Sequence, residues 1–122
     1  MSLGARLQSK SAEYQKSQGD LALLVDKKTR LDTQLSENEM VKKEFDNLTP
    51  NNTIFKLVGP VLVPQDQTEA RTNVETRLDF IRGETKRVDT QIKDTEEELE
   101  KKKLELVDLQ AQLPASSGAI SN

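Results

Sequence analysis

Two sevenfold series of apolar residues, interrupted once near the middle, restrict this chain more than any other feature. Leu7, Tyr14, Leu21, Lys28 and Leu35 recur every seven residues, and Leu24, Leu31, Asn38 and Phe45 form a second series offset by three. Those are the a and d positions of a heptad, the spacing that keeps one stripe of a helix against a partner helix. After the interruption, Leu78, Thr85, Ile92, Leu99, Leu106 and Leu113 make one series, and Val74, Ile81, Val88, Thr95, Lys102 and Leu109 make the other. Nine of those twelve positions are apolar, so the second segment carries the cleaner seam. Val41 and Leu48 fall on g, one residue before a. The end of the first helix is therefore expected to touch something besides its first partner.

Local chemistry sets the limits of the helices. Thr49-Pro50 stops the first, because proline donates no backbone bond and biases the residue before it away from the helical region. Asp66 followed by Glu69 resembles a capping box with Asp in place of Ser or Thr. Pro114 ends the second helix, and "ASSGAISN" after it reads as a disordered tail. The chain thus divides into a first coiled-coil helix over 1–48, a β-hairpin assembly element over 49–66, a second coiled-coil helix over 67–113 and a tail over 114–122. Helices of about 43 to 47 residues run roughly 65 to 70 Å at 1.5 Å per residue. Equal arms and a short connector predict antiparallel pairing.

The connector itself, "KLVGPVLVPQD", is nearly all apolar. Ile54 to Val58 and Val61 to Val63 are dominated by β-branched or large apolar residues, and Gly59-Pro60 is a turn signal. A two-residue turn there sets Val58 against Val61, Leu57 against Leu62 and Lys56 against Val63, with alternate pairs on opposite faces. Both faces are then apolar. A free two-stranded hairpin is marginal, and one with two apolar faces and two open edges invites aggregation. It is expected to join strands of other chains in a shared sheet or barrel; the competing reading is a loop that packs back on its own helix ends. The fold class is mainly α: a long antiparallel two-helix coiled coil with one β-hairpin at the turn end that joins an intersubunit β-barrel.

Composition excludes several function classes. With 34% hydrophobic, 32% charged and 3% aromatic residues, the chain makes a poor compact globule, and the periodic leucines and valines argue against disorder. Cysteine and histidine are both absent, which removes Cys/His zinc sites, imidazole bases and Ser-His or Cys-His nucleophiles. Glu96 and Glu100 form no credible catalytic pair, because nothing buries them. "LVGPVL" lacks the glycine spacing and the Lys-Ser/Thr of a nucleotide loop. No cofactor or metal is implied, and the chain does not read as an enzyme. A net charge of −3 argues against nucleic acid as a partner. No apolar leader follows Met1, and no run approaches the roughly 20 apolar residues that span a bilayer, so no membrane partner is expected. The expected location is the cytoplasm, with the nucleus also open.

The seam is uneven along its length. Lys10, Ser17, Thr95 and Lys102 put polar side chains on d in the half away from the connector, so that half is expected to be the looser one. The same half carries apolar residues the seam does not use: Leu104 on f, Val107 on b, and Leu3 before the first strong heptad. With Leu7, Leu106, Leu109 and Leu113 they make an apolar tip on a charged arm. The alternative is that Leu106, Leu109 and Leu113 simply pack against Leu3 and Leu7. "EEELEKKK" sets Glu97 four residues before Lys101 and Glu98 four before Lys102, the spacing of a solvated, pair-supported helix face.

"FKLVGPVLVPQD" (55–66), "EARTNVETRLDFI" (69–81) and "LDTQLSENEMVKKEFDNL" (31–48) resemble prefoldin in its β class, whose members carry one hairpin between two coiled-coil arms. The resemblance covers nearly all the chain before Pro114. It implies a hetero-hexamer of two α-class and four β-class subunits, with the hairpins building a double β-barrel platform and six arms holding non-native protein without ATP. It also implies hand-over of unfolded clients, notably actin and tubulin chains, to the cytosolic group II chaperonin. Carried onto this chain, Phe55, Leu57, Val58, Gly59, Pro60, Val61, Leu62 and Val63 become assembly residues. Leu3, Leu7, Leu104, Leu106, Val107, Leu109 and Leu113 become candidates for client contact. The other function consistent with the pattern is a structural or tethering coiled coil without clients.

Overall fold

The computed structural model describes residues 2–114, in the order α1 (Leu3–Asp46), β1 (Ile54–Val58), β2 (Val61–Gln65) and α2 (Gln67–Ala111). The expected tail lies, from residue 115 on, outside the described residues. Ser2 caps α1: its Oγ accepts the N–H of Ala5 at 3.1 Å and its carbonyl the N–H of Arg6 at 2.9 Å. Asp66 caps α2 as its spacing to Glu69 predicts, with Oδ2 accepting the Glu69 N–H at 3.0 Å.

Both helices stop about two residues short of the expected limits, and for the same reason. Past Asp46, the N–H groups of Asn47 and Leu48 reach back three residues, to Glu44 and Phe45 at 3.1 Å each. Past Ala111, those of Gln112 and Leu113 do likewise, to Leu109 at 3.2 Å and Gln110 at 3.1 Å. Such three-residue bonds tighten the final turn, which lets the chain leave the helix ahead of a proline. Leu113, expected as the last a residue, therefore lies outside α2 and is exposed.

The chain forms two compact units. Lys28–Arg87 holds the hairpin with the flanking parts of both helices. Here α1 and α2 pair antiparallel: Lys42 Nζ meets Glu75 Oε1 at 2.8 Å, and Asp46 Oδ1 meets Arg71 at 3.3 Å. Arg71 also donates to the Phe45 carbonyl, placing a cation on the C-terminal end of α1 where the helix dipole favours one. Leu31, Val74, Leu78 and Ile81 are the buried seam, joined by Ala70.

The second unit is built from the segment up to Lys27 and the segment from Val88 on. Pairing is antiparallel here too, with Lys10 Nζ 3.1 Å from Glu105 Oε2 and Lys102 donating to Ser17 Oγ at 2.8 Å. Val88 is its one buried apolar residue among those described, and Ser17 is buried on the seam. The contrast with the five buried apolar residues of the other unit matches the uneven seam read from the heptads.

β1 and β2 pair in the expected register, Val58 with Val61, Leu57 with Leu62 and Lys56 with Val63, extended by Phe55 with Pro64 and Ile54 with Gln65. Gly59 has φ +59°, and Pro60 follows it, the sequence of a type II′ turn. A Cβ on Gly59 would meet nothing within 4 Å. The cost of Gly59→Ala is therefore conformational, about 1 to 2 kcal/mol for an L-residue at positive φ. Hydrogen exchange at the Lys56 and Val58 amides should speed up by about tenfold in that variant, with helix content unchanged. Equal protection would mean the turn does not depend on the positive φ.

Candidate functional site

The hairpin presents two faces. One carries Phe55, Leu57, Leu62 and Pro64; the other carries Ile54, Lys56, Val58, Val61, Val63 and Gln65. Every proposed assembly residue is exposed, with Leu57 at 67% and Leu62 at 63%. Only Ile54 and Gln65, at the base, are half-buried. Solvent normally faces one side of an antiparallel pair; here apolar side chains face it on both.

Side-chain hydrogen bonds tie the two chain segments that lead into and out of that element. Gln67, in the first turn of α2, donates from Nε2 to the carbonyls of Thr49 at 2.8 Å and Asn52 at 2.7 Å. Asn52 Oδ1 in turn accepts from the Thr49 N–H at 2.7 Å and its hydroxyl at 3.1 Å. Beside the hairpin base lies a groove of about 350 Å³ whose lining includes Val41, Phe45, Ile54, Phe55, Ala70 and Val74. This is where the drift of Val41 onto g leads: the end of α1 turns an extra apolar residue toward the hairpin. Ala70 was not picked out from the sequence, although it too lies on g, one turn before Val74.

The second group of candidates lies in the other unit. Leu104 is 58% exposed and Val107 52%, as their f and b positions require, and Leu113 is exposed beyond the helix end. Leu3, Leu7, Leu106 and Leu109 are half-buried. Leu109 also borders a groove of about 530 Å³ with Arg6, Lys10, Glu13, Glu105 and Asp108. The hydrogen bond and charge of Glu105, followed by those of Glu13, raise the Lys10 ammonium above the ordinary lysine pKa. Sequence reasoning missed this charged groove; the signal was Lys10 on a d position. Further apolar side chains are exposed at Leu23, Met40 and Phe80, on c, f and c. Among the described residues no group of His, Cys, Asp or Glu is placed to hold a metal ion, and no helix is long and apolar enough to cross a membrane.

A family model described as Prefoldin subunit matches residues 8–113. The chain belongs to the prefoldin family. It is 46% identical to Prefoldin subunit 6 of Saccharomyces cerevisiae over 98 residues, which covers 80% of this chain and 86% of that one. To Prefoldin subunit 6 of Homo sapiens it is 40% identical over 114 residues, 93% of this chain and 88% of that one. Its fold is similar to that of the prefoldin beta subunit from Thermococcus strain KS-1, with a TM-score of 0.80 at 18% identity over 89% of this chain and 95% of that one. Two long helices with a single hairpin between them is thus a prefoldin arrangement.

Proposed function

We propose that this chain is a β-class subunit of a hetero-hexameric prefoldin, an ATP-independent holdase of the cytosol. It binds unfolded proteins such as actin and tubulin chains through the apolar residues of its chain-terminal helix segments and delivers them to the group II chaperonin. The observation that carries this reading is the hairpin with both faces apolar and exposed. A tethering coiled coil needs no such element, whereas a subunit of a shared β platform does. Client contact draws support from Leu104 and Val107, which the heptad leaves without a helix partner. Weak contacts on several arms suffice, since each contact made raises the effective concentration for the next.

The test is an aggregation-protection assay on the complex reconstituted with α-class and β-class partners, using an unfolding client. Replacing Leu104 and Val107 by Ser removes contacts that together contribute about 1 to 3 kcal/mol, given their partial exposure. About tenfold more complex should then be needed for half-protection, with the native mass of the complex unchanged. Undiminished protection would remove these two residues from the client surface.

A further inference from the structure

The two edges of the hairpin are not equivalent. A two-residue turn is closed by a hydrogen-bonded pair, here Val58 with Val61. Alternation along the ladder then makes Lys56–Val63 hydrogen-bonded and leaves Leu57–Leu62 and Phe55–Pro64 as non-hydrogen-bonded pairs, whose backbone groups point away from the hairpin. β1 thus offers a neighbouring strand both the N–H and the C=O of Phe55 and Leu57. β2 offers both groups of Leu62 but only the carbonyl of Pro64, because proline has no N–H.

The full edge of β1 is also the one that a second copy of the same chain would seek. Two β1 strands meeting antiparallel use all their outward groups in one register, with Phe55 against Leu57 of the second copy. Shifting by one residue pair centres the contact either on Leu57, bringing Phe55 against Gly59, whose φ of +59° takes it out of the strand, or on Phe55, bringing Leu57 against Thr53, which lies before the strand begins. The productive register places Lys56 directly opposite Lys56 of the second copy, at the close spacing of a cross-strand pair, where like charges repel. Lys56 is the only charged residue of β1, and its own face of the hairpin carries no acid, only Ile54, Val58, Val61, Val63 and Gln65.

We infer, building on the subunit reading above, that β1 is a strand-adding edge with its full set of backbone groups and that Lys56 makes it heterotypic. The strand it accepts comes from a different prefoldin subunit and sets a carboxylate opposite Lys56, while the β1 edge of a second copy of this chain is turned away. Pro64 weakens self-pairing at the other edge by removing donors there.

Sedimentation of the full chain tests this with four samples: wild type, Lys56→Glu, Lys56→Val, and wild type mixed with Lys56→Glu. The mixture should dimerise about tenfold more tightly than wild type or Lys56→Glu alone, as repulsion across the pair becomes attraction. Lys56→Val should self-associate, and in the mixed dimer the amides of Phe55 and Leu57 should exchange more slowly. Equal association in all samples, no association in any, or slowing at Leu62 in place of Phe55 and Leu57 would each overturn the inference. The subunit reading is tested separately, by hexamer assembly with Leu57 and Leu62 replaced by Asp. A hexamer lost on those changes alongside an inert charge swap overturns the role of Lys56 alone.

Discussion

With Leu57 and Leu62 both replaced by Asp, this chain is expected to remain helical and to lose its place in a prefoldin complex. The two residues pair across the hairpin and are 67% and 63% exposed, so the isolated chain gains little from them. In a shared sheet they would be covered. Full burial of two leucines is worth roughly 3 to 6 kcal/mol, two to four powers of ten in an association constant. The replacement adds two penalties. Carboxylates would have to be desolvated without partners, and the two would face each other as like charges across the ladder. Native mass spectrometry of the variant mixed with α-class and β-class subunits should find no hexamer, while circular dichroism reports unchanged helix content. A hexamer indifferent to the double change would take the hairpin out of the assembly interface and favour the tethering coiled coil.

Much of this architecture was legible because it rests on short-range or strictly periodic rules. Every residue assigned to the a and d series is buried or half-buried, apart from Leu113. The hairpin register follows from one Gly-Pro turn and the alternation of strands, and the Asp66 cap from a spacing of three. The features that were not legible depend on which residues of distant segments come level. Arg71 on the Phe45 carbonyl and Gln67 bridging Thr49 and Asn52 are invisible until the reversal of the chain is built. The groove holding Lys10 and Glu105 likewise needs the helix-to-helix register. Leu113 was misplaced by a subtler effect, since its seventh-residue spacing is perfect but the final turn has already tightened ahead of Pro114. Of the two candidate surfaces, the hairpin was legible residue by residue. The second surface was legible only as apolarity, without the charges that border it.

Leu78→Ala should be the most damaging single truncation within the Lys28–Arg87 unit. Leu78 occupies an a position and is fully buried, flanked on the seam by buried Val74 and Ile81. Truncation removes the transfer energy of the lost carbons and leaves a cavity that two helices can close only in part, a cost of about 2 to 5 kcal/mol. The gain in helix propensity from Leu to Ala offsets only a few tenths of that. Phe80 is the informative control, because it lies two residues away on the same helix, is larger, and is 67% exposed on a c position. Phe80→Ala should change stability by no more than about 0.5 kcal/mol, as surface substitutions usually do. Urea unfolding belongs on the isolated chain, since partners that bind only the folded form would raise apparent stability and mask the difference. If Leu78→Ala proved no costlier than Phe80→Ala, the heptad seam would not be what holds the helices together beside the hairpin. The hairpin would then have no rigid mount, and the exposed apolar faces it presents would have to be ordered by its partners.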